Sequence, residues 1–100
     1  MEKSDKLYEK ISSIESKYYI VFGLSTCPYC IKTLELLRKS NVNYKYYSVD
    51  ECKKIFFDLL SQISQRYSEL KITSNHKTFP VIFHEKKFIG GYTELLKNFT

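Results

Sequence analysis

Apolar residues along this chain alternate between two spacings. Over residues 5–16, Leu7, Ile11 and Ile14 recur every three to four positions, the spacing of one helix face, with Ser4 or Asp5 as a candidate cap. Residues 18–24 are almost continuously apolar and β-rich, which predicts a strand covered on both faces. Helical spacing returns at Ile31, Leu34, Leu36 and Leu37, predicting a helix over 28–40 that stops near Asn41. Residues 44–49 read as a second strand. Asp50 can cap a long helix over 50–70, with Ile55, Phe56, Leu59, Leu60, Ile63 and Tyr67 as its apolar positions. A polar connection over 72–77 leads to a strand over 80–84, a turn at Glu85-Lys86 and a returning strand over 87–89. Gly90-Gly91 breaks that strand, and Thr93 can cap a last short helix through Phe99.

The order α-β-α-β-α-β-β-α predicts an α/β fold. The first two strands are joined through a helix and should be parallel, and the last two should form a hairpin. The result is a four-stranded mixed sheet flanked by helices. No repeat, low-complexity tract or linker interrupts it, so residues 1–100 are expected to form one domain.

Composition narrows the function classes. No run of eighteen apolar residues offers a transmembrane span, and the first ten residues do not read as a secretory signal. A cytoplasmic, reducing setting is the expectation, with no membrane partner. The net charge of +5 comes almost wholly from lysine. Lys53-Lys54 and Lys86-Lys87 are short pairs rather than a basic stripe, so no nucleic-acid partner is expected. A basic rim still attracts a small anionic substrate. Three cysteines cannot form a fully paired disulfide framework. Cys52 is left over and reads as a buried or half-buried helical residue.

The chemistry concentrates in Cys27-Pro28-Tyr29-Cys30, at the junction of the first strand and second helix. A C-x-x-C in that place reads as a dithiol redox site. Proline fits the first turn of the helix, where its missing N–H costs nothing. Cys27 then sits at the helix N-terminus, where free N–H groups and the helix dipole place partial positive charge beside its sulfur. Cys27 is the expected nucleophile, and Cys30, three residues on and deeper, the resolving thiol.

Three separated motifs make the chain resemble a glutaredoxin of the dithiol class: Thr26-Cys27-Pro28-Tyr29-Cys30, Thr78-Phe79-Pro80, and Gly90-Gly91-Tyr92-Thr93-Glu94. The resemblance covers about residues 18–99, and the helix over 5–16 matches the extra N-terminal helix of longer members. It implies a thioredoxin-like fold and a monomeric, glutathione-dependent thiol–disulfide oxidoreductase. Glutathione would be the co-substrate, and glutathionylated or disulfide-bonded proteins the partners; no metal is expected. It further implies that Pro80 is cis and that Phe79 presents its backbone to glutathione as to an added strand. Gly91, with the N–H groups of Tyr92 and Thr93, would receive the γ-glutamyl carboxylate. Tyr29 would flank the substrate with its ring and reach a carboxylate with its hydroxyl, and Thr78 would also contact glutathione. Many members carry a lysine where this chain has Leu24, so Lys77 is the candidate cation for the glycine carboxylate.

Two readings from other classes compete. Some glutaredoxins hold an iron–sulfur cluster with one cysteine per subunit and glutathione, though these usually lack the proline and the second cysteine. A zinc-stabilised interaction domain would need two ligand pairs at short spacing, and only one is present. His76 and His84 carry no catalytic spacing, and His84 is expected to end a strand.

Overall fold

The computed structural model describes residues 3–12, 17–73 and 76–99, with side chains from Lys6 onward. Its elements are α1 (Lys3–Ser12), β1 (Tyr19–Gly23), α2 (Pro28–Lys39), β2 (Tyr44–Ser48), α3 (Lys53–Arg66), β3 (Val81–His84), β4 (Lys87–Gly90) and α4 (Tyr92–Asn98). Short 3₁₀ turns cover Asp50–Cys52 and Ser68–Leu70. The sheet runs β2-β1-β3-β4, with β1 parallel to β2 and the remaining pairs antiparallel. This is the four-stranded mixed sheet expected from the element order, in a thioredoxin-like arrangement with the N-terminal helix present.

The central strand explains why residues 18–24 lack polar positions. Ile20 and Phe22 point to one face and join Leu7, Ile11, Phe56, Leu60 and Ile63, so α1 and α3 cover that side. Tyr19 and Val21 point to the other face and meet Leu37, Ile82 and Leu95, so α2 and α4 cover that one. A strand flanked by β2 and β3 and covered above and below buries every side chain it has. α1 docks on α3, and Tyr8 stacks on Tyr67 with ring centroids 3.7 Å apart. The hairpin turn forms at Glu85 and Lys86, both left-handed at φ 55° and 62°. That is the primed turn matching strand twist, here made without glycine.

Several expectations are corrected. Ser4 and Asp5 lie inside α1 rather than capping it. Ile14 lies outside the described residues. Asp50 does not cap one long helix: its carboxylate turns back to the loop before α2, accepting from Ser25 N–H at 3.1 Å and Ser48 Oγ at 3.0 Å. Nor does that helix run unbroken to Leu70. It ends at Arg66, Tyr67 leaves the helical region, and Lys71 is left-handed at φ 61°. Ile55, counted on the apolar face, is 36% exposed because that face is set by Phe56, Leu60 and Ile63.

Candidate active site

The junction between β1 and α2 is tied down before it reaches the first cysteine. Val49 N–H donates to Gly23 O at 2.8 Å, and Asp50 holds Ser25 N–H. These Ser25 hydrogen bonds hold the Asp50 carboxyl below the usual carboxylate range. Cys27 is the N-cap of α2, extended at φ −85° and ψ 120°, and Pro28 opens the helix. The sulfur does what a serine or aspartate oxygen does at other caps: Cys27 Sγ accepts from Cys30 N–H at 3.3 Å. Both cysteines are free thiols.

One turn separates two different environments. Cys27 is half-exposed, whereas Cys30 is 1% exposed. Burial first, and the neighbouring Cys27 sulfur second, push the Cys30 thiol up to about 11. Cys30 therefore keeps its proton at neutral pH. Its approach to the backbone depends on Gly23, where an added Cβ would lie 2.7 Å from Cys30 Sγ.

The Thr78-Phe79-Pro80 segment forms the second wall. The Phe79–Pro80 peptide is cis, and Phe79 O lies 3.9 Å from Cys27 Sγ. The Phe79 ring packs on Phe57 and Phe56, with centroids 5.0 Å and 5.4 Å away. Pro80 is buried and Thr78 exposed. His76, which has no catalytic spacing in the sequence, braces this wall from behind. Its Nε2 is 3.3 Å from Pro80 O, and its Cε1 would be 3.2 Å from a Cβ placed on Gly91.

The third wall is the turn into α4. Gly90 has φ 131°, and a Cβ there would lie 2.7 Å from the Glu94 carboxylate. Only glycine fits both conditions. Gly91 is the N-cap, so Thr93 is not: it sits exposed inside the first turn. Glu94 closes the end instead, accepting from Gly91 N–H at 2.7 Å. This is the glutamate half of a capping box, since Gly91 has no side chain to return the bond.

The other expected site residues lie around these walls. Tyr29 is 55% exposed, its centroid 6.0 Å from that of half-buried Tyr92 and 5.1 Å from Lys32 Nζ. Lys77 is exposed and lines a cleft of about 100 Å³ with Phe57, Ser61, Ser64, Gln65 and His76. Sequence reasoning missed His76, Asp50 and Tyr46. Tyr46 Oη donates to Leu24 O at 2.7 Å, directly beneath the start of α2. Only the parallel register that sets Tyr46 beside Val21 brings it there, and no local pattern signals that register. Among the described residues, no group of three His, Cys, Asp or Glu side chains is arranged to hold a metal ion.

The arrangement is an accessible sulfur at a helix N-terminus, a buried thiol one turn below, and a backbone carbonyl facing the first. It is built for thiol–disulfide exchange. The chain is also similar to known proteins. The glutaredoxin family model matches residues 18–89. A probable glutaredoxin of Acanthamoeba polyphaga mimivirus is 34% identical over 92 residues, covering 91% of this chain and 86% of that protein. Mitochondrial glutaredoxin-2 of Pongo abelii is 32% identical over 82% of this chain, which spans only 46% of that longer protein. The solution structure of the dithiolic glutaredoxin 2-C-Grx1 of Trypanosoma brucei brucei superposes with a TM-score of 0.64. It has 30% identity and covers 91% of this chain and 82% of its own. With the family model matching residues 18–89 and a relative 34% identical over most of both chains, this chain belongs to the glutaredoxin family.

Proposed function

We propose that this protein is a glutathione-dependent thiol–disulfide oxidoreductase of the cytoplasm, acting as a monomer. The observation that carries the reading is the pairing of two unlike sulfurs. Half-exposed Cys27 caps α2, and buried Cys30 lies one turn below it. Cys27 thiolate attacks the glutathione sulfur of a protein–glutathione disulfide. The new bond joins Cys27 to glutathione, and the target leaves as a thiolate that takes up a proton. A second glutathione thiolate then attacks the glutathione sulfur of that adduct, giving glutathione disulfide and restoring Cys27. With a protein disulfide as substrate, Cys30 attacks Cys27 in the intermediate and releases the reduced protein. Family potentials of about −200 to −230 mV suit supply from a glutathione pool.

Phe79, Pro80 and Thr78 would receive the glutathione backbone beside Cys27. Gly91, Tyr92 and Thr93 would receive its γ-glutamyl carboxylate, Tyr29 would flank it, and Lys77 would meet the glycine carboxylate. The Phe79 carbonyl near Cys27 Sγ supports the first part of this assignment. Glu94 already occupies the Gly91 N–H, so the γ-glutamyl carboxylate is left the remaining N–H groups of that turn.

The test is a glutathione-coupled reduction assay with a glutathionylated protein, run beside the visible spectrum of the purified protein. Turnover that depends on both glutathione and Cys27 supports the proposal. No turnover, with visible absorbance from an iron–sulfur cluster, supports the cluster-binding alternative.

A further inference from the structure

Cys30 must lose its proton in a place that disfavours the thiolate. Its sulfur is buried beneath α2, where charge has little solvation. Two donors nevertheless converge on it. One is the Tyr46 hydroxyl, which shares with Cys30 Sγ the space beside Gly23. The other is the backbone N–H of Leu24, and hydrogen bonding from both opposes the rise that burial imposes on the Cys30 thiol. The contact is tight from the other side as well. A Cβ on Gly23 would lie 2.5 Å from Tyr46 Oη and 2.7 Å from Cys30 Sγ, so hydroxyl and sulfur share the space that glycine leaves open. Tyr46 Oη also has a resting acceptor, the Leu24 carbonyl at 2.7 Å.

We propose that Tyr46 is a catalytic residue for the dithiol half of the reaction, its hydroxyl serving as the donor that receives the Cys30 thiolate. The proposal rests on the oxidoreductase reading above. With Cys30 protonated, the hydroxyl donates to Leu24 O and can accept from the Cys30 S–H. When the proton leaves, the same O–H turns to the sulfur, and Leu24 N–H is the second donor. A charge forming in a water-poor site thus meets donors already in position.

The step balances as follows. Cys27 carries a target sulfur R as Cys27–S–S–R. Cys30 gives up its proton to water, its sulfur bonds to Cys27 Sγ, and the disulfide bond between Cys27 Sγ and the target sulfur breaks. R–S⁻ leaves with the bonding pair and takes up a proton. The target is reduced by two electrons and the cysteine pair is oxidised by two. In the return step, a glutathione thiolate attacks Cys27 Sγ, and the pair from the Cys27–Cys30 bond goes to Cys30. Tyr46 meets that leaving thiolate too.

Other titratable groups face the pair. Cys27 lies against Cys30 from the N-terminus of α2, and Asp50 acts on Tyr46 from the end of β2. Burial and the nearby Cys30 sulfur both keep the Tyr46 phenol protonated, which suits a donor rather than a base.

Tyr46→Phe keeps the ring and removes the donor. In rapid-quench kinetics with a disulfide-bonded protein substrate, formation of the Cys27 mixed disulfide should slow by less than about threefold. Its resolution by Cys30 should slow at least about tenfold, the value of one hydrogen bond to a charged group. In a Cys27→Ser background, ultraviolet titration should show Cys30 ionising at higher pH when Tyr46→Phe is added. Equal slowing of both steps, or an unchanged titration, would overturn the proposal in favour of simple packing. Should Tyr46→Phe not fold, 3-fluorotyrosine at position 46 keeps the shape and strengthens the donor. It should move the pH profile of the resolution step to lower pH, and an unmoved profile would overturn the proposal. Absence of turnover in the unaltered protein would refute the oxidoreductase reading, while the Cys30 titration would still decide the Tyr46 contact.

Discussion

Two strand-to-helix junctions flank the candidate site, and they are finished differently. At the first, β1 leads into α2 and the capping position holds Cys27, whose sulfur accepts the Cys30 N–H. At the second, β4 leads into α4 and the capping position holds Gly91, whose N–H is taken by the Glu94 carboxylate. Both helix ends carry partial positive charge. The first directs it at a sulfur that can react. The second uses part of it on the chain's own anion. The two junctions therefore differ in what meets their first N–H groups: the Cys27 sulfur at the cap of the first, and the Glu94 carboxylate, three residues past the cap, at the second.

The largest effect should come from removing the reactive cap. Cys27→Ser leaves an oxygen well able to cap α2, so the fold should survive while glutathione-coupled turnover falls to background. Cys30→Ser should lose reduction of protein disulfides by the dithiol route and keep the monothiol reaction. Full activity in Cys27→Ser would break the comparison at its first term.

Lys77 comes next. It is exposed in the cleft beside α3 with Phe57 and Ser61, and it is the cation proposed for the glycine carboxylate, since Leu24 carries no charge. Lys77→Ala should raise the KM for a glutathionylated substrate roughly tenfold, near the low end for a charge-assisted hydrogen bond because Lys77 is exposed. Binding should weaken as salt rises. Lys86→Ala, on the hairpin turn, is the control and should change KM little. Equal effects of the two would leave backbone groups as the main hold on glutathione.

Glu94 sharpens the second junction. Glu94→Gln keeps an acceptor for Gly91 N–H but removes the negative charge beside the proposed γ-glutamyl site. KM should fall by about threefold, consistent with roughly 0.3–1 kcal/mol for a charge at a helix end. A rise in KM would mean that Glu94 orders the turn more than it opposes the substrate.

The smallest effect is on stability. Burial raises the Cys30 thiol from 9.0 to about 11. A group with a raised folded value contributes stability that is intact below its unfolded value and lost as pH climbs through the folded one. The reduced protein should therefore lose stability between about pH 9 and pH 11, and Cys30→Ser should flatten that loss. Thermal melts of both proteins across this window would show it.

The sequence carried the parts of this picture that are local. The unbroken apolar run at 18–24 announced a strand covered on both faces, and Ile20, Val21 and Phe22 are all buried. The dithiol, the proline after it and the two glycines marked both junctions. The parts made by tertiary contact were not legible. Asp50 looked like a helix cap and instead anchors Ser25, a residue twenty-five positions earlier. Tyr46 looked like any strand tyrosine until the β1–β2 register placed it under Cys30. His76 looked idle and in fact stands between Pro80 and Gly91. Thr93 was the more familiar cap residue, but the chain enters the helix two residues earlier, at Gly91.

The central claim is that Cys27 is the sulfur that takes glutathione from a mixed disulfide. Cys30→Ser protein, mixed with a stoichiometric amount of a glutathionylated peptide and quenched with acid, should trap the intermediate for peptide-mapped mass spectrometry. The account predicts one glutathione per chain, bound at Cys27, with Cys52 unmodified and the peptide released as a free thiol. Glutathione bound mainly at Cys52, or no adduct while the peptide remains glutathionylated, would contradict it.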